Sequence, residues 1–223
     1  MKVAVLSLTR DRLNYTQHTF PLLYELAGCQ FDHFVLDQGS DDLTVPALIG
    51  FRPSGLVRLD RNIGISRGMN VLLEIIDGQG YDVVVKFDND CELLQPDTLA
   101  IIAKLALEGD ALLSPRILGL QNPPRPTGEF MIGGETVLDI PQIGGIFLAA
   151  PASLYEDFRF NPDNPIYGGD DVEICAYARM VGMRCGYVER FAANHYEGTE
   201  KQRETYPEYW ERKKQEMGLV GLA

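Results

Sequence analysis

Asp88 and Asp90 stand two residues apart, with Asn89 between them, just beyond the apolar run Val83-Val84-Val85. Two carboxylates so placed past a buried strand can hold a hard divalent cation through oxygen ligands. That cation would bind a diphosphate and stabilise it as a leaving group. The alternative for these residues is a solvated turn, in which Asn and Asp bond to their own backbone. A second acidic turn, Asp37-Gln38-Gly39-Ser40-Asp41-Asp42, pairs a carboxylate able to accept from a pyrimidine N–H with a glycine that allows close backbone approach. It reads as well as a plain turn, or as a helix cap at Ser40 or Asp41.

A third cluster, Gly168-Gly169-Asp170-Asp171-Val172-Glu173, opens a helix. One of its acids can act as general base toward an acceptor hydroxyl; alternatively, the acids only serve the helix dipole. His195, in Ala193-Asn194-His195-Tyr196-Glu197-Gly198, is either a neutral imidazole ligand or a satisfied structural histidine. His18 and His33 lack such a context and are expected on the surface or in a helix. Asn62-Ile63-Gly64-Ile65-Ser66-Arg67-Gly68-Met69-Asn70 opens another helix, where Arg67 can meet a phosphate through two hydrogen bonds or lie solvated.

The elements that must carry these clusters alternate. Strands are expected at 3–7, 31–36, 55–59 and 81–87, and helices at 15–26, 65–76 and 96–107. Pro21 is a mild objection to the first helix. Met69, Leu72, Leu73 and Ile76 suit one buried helical face. Such alternation implies a mainly parallel sheet, with ligands bound beyond the carboxyl ends of its strands. Those ends carry Thr9-Arg10-Asp11, the Asp37 turn and Asp88-Asn89-Asp90, so three polar clusters point to one site. Further on, 119–134 is rich in proline and glycine and is expected to be a loop. A strand is expected at 143–150, a helix at 171–181, and a polar helical tail at 200–217 with Tyr206, Tyr209 and Trp210 available to dock it.

Composition narrows the function classes. With 223 residues, 45% of them hydrophobic, there is ample material for one domain with its own core. Twenty basic against 32 acidic residues, a net charge of −12, disfavour broad affinity for nucleic-acid phosphates. Cys29, Cys91, Cys175 and Cys185 show no metal-finger spacing and read as reduced thiols. No secretory h-region or stretch of membrane-spanning length is visible, so the expected location is cytoplasmic, with any membrane contact peripheral.

Taken in order, the clusters resemble the glycosyltransferase family 2 type of GT-A enzyme over roughly residues 1–198. The resemblance is carried by Thr9 and Arg12 after the first strand, the DxGSxD turn from Asp37 to Asp42, NxGxSxGxN from Asn62 to Asn70, and the DxD of Asp88 and Asp90. Gly144-Gly145, the GGDDxE segment and the late His195 complete it. The resemblance implies a single GT-A domain, a Rossmann-like α/β fold with a central, mainly parallel sheet flanked by helices. Residues 1–110 would form the nucleotide-sugar half, 111–199 the acceptor and catalytic half, and 200–223 a helical tail.

By the same resemblance, Thr9, Arg12, Asp37, Asn62, Arg67, Asp88 and Asn89 would bind the nucleotide sugar, a UDP-sugar by preference. Asp88, Asp90 and His195 would hold Mn2+ or Mg2+. Asp171 would be the catalytic base of an inverting transfer to a hydroxyl acceptor, with Asp170 its neighbour. Gln38 stands where a second acid is often seen, and Asp170-Asp171 replaces the more usual Glu-Asp pair. Retaining relatives share a Gly-Gly-acid segment, so the pattern leaves the stereochemical outcome open. Two rivals are a nucleotidyltransferase and a non-catalytic binding module on the same fold. The first would carry a glycine-rich loop after its first strand, and Ser7-Leu8-Thr9-Arg10-Asp11-Arg12 has no glycine. The second would be expected to have lost the acids, which are all present. The acceptor is open among glycan, protein, small molecule and, less favoured by the acidity, a modified DNA base.

Overall fold

Four parallel strands form the half of the sheet that receives the acidic turns. They are β1 (Val3–Thr9), β2 (Asp32–Gln38), β3 (Gly55–Leu59) and β4 (Val83–Phe87), in the order β3-β2-β1-β4. The computed structural model of the protein describes residues 1–120, 122–196, 204, 207–216 and 218. Val83–Phe87 is buried throughout, as a central strand covered on both faces must be. The connecting helices are α1 (Leu13–Leu26), α2 (Thr44–Phe51) and α3 (Ile65–Ile76). The predicted face of α3, Met69, Leu72, Leu73 and Ile76, is buried; full burial of each such side chain contributes about 1.5–3 kcal/mol. Helix α1 runs through Pro21, because Phe20 and Leu23 bury completely against the sheet and that packing outweighs the lost hydrogen bond.

The second half departs from the expected parallel pattern. After β5 (Cys91–Leu93) and α4 (Thr98–Gly109) come β6 (Ala111–Leu118), β7 (Gly128–Ile132), β8 (Glu135–Asp139) and β9 (Phe147–Pro151). Short α5 (Leu154–Asp157), α6 (Asp170–Met180), β10 (Arg184–His195) and α7 (Pro207–Glu216) follow. Among the described residues ten strands make one mixed sheet, β3-β2-β1-β4-β9-β6-β10-β8-β7, with β5 paired to β10. Strand β9 lies antiparallel between β4 and β6. The sheet is therefore mixed rather than mainly parallel. Phe87 and Phe147, edge to face at 6.2 Å, close the seam between the halves.

The expected loop at 119–134 contains β7, which pairs with β8 as a hairpin across the Gly133-Gly134 turn. Local glycine and proline content hid a strand whose partner comes next in sequence. Strands β6, β8 and β10 and helix α2 were not expected at all. Of the helical tail, 207–216 is helical as α7; Tyr206 and residues 200–203 lie outside the described residues. His33 is on β2 and 1% exposed, so it is neither a surface nor a helix residue. No helix among the described residues is long and apolar enough to cross a membrane.

Candidate active site

The turns after β1 and β2 are tied together from within. Asp37 is wholly buried. One of its oxygens accepts from Thr9 Oγ1 at 3.1 Å and Ser40 Oγ at 2.5 Å, the other from the Ser40 amide at 3.0 Å. Ser40 Oγ in turn accepts from the Asp11 amide at 2.7 Å, and Asp11 Oδ1 accepts from the Asp41 amide at 2.8 Å. Asp37 therefore braces the two turns. Gln38 accepts from the Ile63 amide through Oε1 and lines a cavity with Thr9, Arg10, Arg12 and Asn62. Gly39 has φ of +77° and lies against the backbone of Asp60 and Arg61, where a Cβ would come to 3.0 Å. The close approach that only glycine allows is thus to the turn after β3.

Asp88, Asn89 and Asp90 follow β4 and line the same cavity. Arg12, buried and held at a left-handed φ of 58°, donates to Asp90 Oδ2 at 2.7 Å and to Asn89 Oδ1 at 3.0 Å. Burial alone would raise the Asp90 carboxyl, but the charge and hydrogen bond of Arg12 outweigh it and hold Asp90 below the usual carboxylate range. His195 arrives through strand register. The last residues of β10 pair antiparallel with β5, setting His195 opposite Cys91, and the Tyr196 amide donates to Asp90 O at 3.3 Å. This brings His195 Nε2 to 3.7 Å from Asp90 Oδ2. Burial lowers the imidazole below its ordinary value, so at neutral pH it is in the form that can ligate a metal. Its Nδ1 is buried without a hydrogen-bond partner among the described residues.

Lys86, whose importance the sequence did not reveal, sits between the DxD turn and the start of α6. The side chain is nearly inaccessible and its ammonium donates to Asp88 Oδ1 at 2.8 Å and to Gly145 O, and lies 3.4 Å from Asp170 Oδ2. Burial alone would lower the lysine; Asp88 and Asp170 outweigh it and raise it. Asp88 itself is pushed up to about 6, by burial and by its Asp90 and Asp170 neighbours against the opposing pull of Lys86. A lysine inside an otherwise apolar strand, two residues before the DxD, was the available signal.

The fit of these residues to a divalent cation divides in two. Asp90 and His195 face one another and offer oxygen and nitrogen of the kind Mn2+ accepts. Asp88 is turned toward Lys86, and among the described residues no three His, Cys, Asp or Glu groups converge on one point.

Across Lys86 from the DxD, α6 begins at Asp170 after Gly169 in the left-handed region. Asp170 is buried beside Lys86, while Asp171 is half-buried, accepting from Gln142 Nε2 at 3.3 Å and from the Val172 amide at 2.9 Å. Gly145 explains how Asp170, Asp171 and Lys86 come so close. A Cβ there would meet Asp170 Oδ2 at 3.1 Å, Asp171 Cβ at 3.2 Å and Lys86 Nζ at 3.4 Å. Arg67 does not join the cluster: it donates to Pro162 O at 2.7 Å and lies 3.8 Å from Asp163.

Helix α7 docks over the strand ends. Tyr209 stacks on the Arg12 guanidinium at 4.7 Å and Arg212 pairs with Asp11 at 2.5 Å and Asp41 at 2.8 Å. Glu216 accepts from Arg10, from Asn62 Nδ2 at 3.1 Å and from Tyr167 Oη at 2.9 Å. Burial would raise the Glu216 carboxyl, but the bonds from Arg10 and Tyr167 hold it below its usual range. Tyr167, pushed up to about 12 by burial and the Glu216 charge, is a second residue the sequence did not single out.

No protein-family model matches the chain, and no curated protein sequence matches it. Solved structures do. GalNAc-T7 with UDP, GalNAc and Mn2+ superposes with a TM-score of 0.68 at 14% identity, over 87% of this chain and 44% of that one. A mannosyltransferase from Pyrobaculum calidifontis in complex with GDP-Man and Mn2+ gives 0.68 at 18% identity, over 90% and 59%. S. aureus TarS 1-349 in complex with UDP-GlcNAc gives 0.69 at 18% identity, over 91% and 61%. The protein thus has the GT-A fold of nucleotide-sugar glycosyltransferases. The chain spans 44 to 61% of the length of these neighbours.

Proposed function

We propose that the chain is a glycosyltransferase that moves a sugar from a nucleoside diphosphate sugar, UDP-linked by preference, to a hydroxyl acceptor. The observation that carries this reading is the convergence of Thr9, Arg12, Asn62, Asp88, Asn89 and Asp90 around one cavity at the carboxyl ends of parallel strands. The neighbours of the same fold, in complex with UDP, GDP-Man or UDP-GlcNAc, support it. In this reading residues 1–110 serve the donor and 111–199 the acceptor. Thr9 and Gln38 face the base, and Asp37 holds their turns from behind. Arg67, seated on Pro162 and Asp163, has no contact that favours a donor role.

Mn2+ or Mg2+ would neutralise the leaving diphosphate. Asp90 and His195 are the residues placed to hold it, with Asp88 beside them. For the transfer itself, Asp171 at the start of α6 takes the proton of the acceptor hydroxyl. The acceptor oxygen forms the new bond to the anomeric carbon, the bond from that carbon to the phosphate oxygen breaks, and the electron pair leaves with the diphosphate. Buried Lys86 keeps Asp88 and Asp170 in place without itself touching the acceptor.

Calorimetric titration of UDP and GDP, with and without Mn2+, tests the donor reading. The expected result is metal-dependent binding that disappears in Asp90→Asn. Binding indifferent to both metal and Asp90, or no binding at millimolar nucleotide, overturns it.

A further inference from the structure

Glu216 occupies a place near the DxD where the fold presents hydrogen-bond donors from three separate segments. Arg10 follows β1, Asn62 precedes α3 and Tyr167 precedes α6, and all three direct a donor at the same carboxylate. Three residues along the helix, Lys213 brings an ammonium over the rings of Tyr167 at 4.7 Å and Trp210 at 4.9 Å. Helix α7 therefore sets an anion against Arg10, Asn62 and Tyr167. That is the sign of charge a diphosphate would bring to the same donors.

The space left is decisive. With α7 docked, the cavity lined by Thr9, Arg12, Asp88, Asp90 and Tyr209 is about 80 Å³. Sites for ligands of drug or cofactor size start at about 300 Å³. A nucleoside diphosphate sugar does not fit beneath the helix as it stands.

We propose that Arg10, Asn62 and Tyr167 form an anion-binding subsite for the donor's diphosphate, and that the chain's own Glu216 fills it as an internal competitor. The identity of the displacing anion rests on the donor reading above; the subsite itself rests on the three convergent donors. Binding then requires α7 to leave, so the apparent affinity is the intrinsic one reduced by the fraction of molecules with the helix undocked.

The test is calorimetric titration of UDP, GDP and inorganic pyrophosphate into the whole chain, its Glu216→Gln variant and Arg212→Gln, which loosens α7 from Asp11 and Asp41 without touching the subsite. Glu216→Gln and Arg212→Gln are each expected to bind about tenfold more tightly than the parent. Arg10→Gln, combined with Glu216→Gln, is expected to abolish that gain. Amide hydrogen exchange in α7 is expected to quicken when ligand is bound. Unchanged or weaker affinity in Glu216→Gln for all three probes, with its melting temperature retained, overturns the proposal. So does an α7 that becomes more protected with ligand, since that helix would be a closing lid and not a competitor. Pyrophosphate binding unmasked by Glu216→Gln, with no binding of either nucleotide, upholds the subsite and overturns the donor reading alone.

Discussion

Lys86 on β4 and Asp170 at the start of α6 meet at 3.4 Å in the interior, both nearly inaccessible to solvent. The contact joins the strand that leads into the DxD to the helix that opens with Asp170 and Asp171. Removing one partner of a buried pair leaves an uncompensated charge, which costs about 3–5 kcal/mol. Lys86→Met is therefore expected to lower the urea midpoint markedly. Adding Asp170→Asn is expected to restore part of that loss, a coupling that a double-mutant cycle reads directly. Additive losses would mean that the two side chains do not share a charge network.

Gly145→Ala tests the crowding around the same contact. Its new Cβ would lie 3.1 Å from Asp170 Oδ2 and 3.2 Å from Asp171 Cβ, and overpacking of this kind costs roughly 1–3 kcal/mol. Because the start of α6 must yield, turnover is expected to fall tenfold or more while nucleotide affinity holds. Steady-state rates set beside a nucleotide titration would separate the two effects.

Asp170 and Asp171 are expected to differ in kind. Asp171→Asn should reduce kcat by about 10² or more, with the melting temperature and nucleotide affinity unchanged, since among the described residues its carboxylate accepts from Gln142 and the adjacent amide alone. Asp170→Asn should instead destabilise the fold through Lys86. Turnover by Asp171→Asn equal to the parent would remove Asp171 as base and leave an inverting transfer without its proton acceptor.

His33 predicts a pH dependence of stability. Its ring is bracketed by Tyr24 Oη at 2.8 Å and Ser7 Oγ at 2.9 Å, and burial pushes its pKa down to about 3. Between its ordinary value near 6.5 and about 3, the unfolded chain binds a proton that the folded chain does not. Stability therefore rises with pH across that window and is lost as the pH falls below about 6.5. At pH 5.5 the loss is roughly 1–1.5 kcal/mol. His33→Gln should flatten that one-proton slope in urea unfolding measured from pH 7 to pH 5.

Much of the first half of the fold was legible in the chain. Apolar runs at 3–7, 55–59 and 83–85 ended in polar clusters, and those clusters do stand at neighbouring strand ends around one cavity. The helix over Ile65–Ile76 and its buried face followed from spacing alone. These features are local: side-chain period and breaker residues encode an element's type, length and buried face. The parallel direction of the first four strands adds little uncertainty, because a helical return joins each of them to the next.

The tertiary structure decided the rest. Nothing in the apolar run at 147–151 distinguishes an antiparallel insertion beside β4 from another parallel strand, since both are buried on two faces. The partner of Lys86, the register that delivers His195 to Asp90, and the placing of Glu216 against Arg10, Asn62 and Tyr167 all depend on that order. Each contact joins residues far apart in the chain, and their energies are expressed only once the sheet has brought them together. Residue types along the chain determined what chemistry was on offer; the strand order determined which groups could reach one another to perform it.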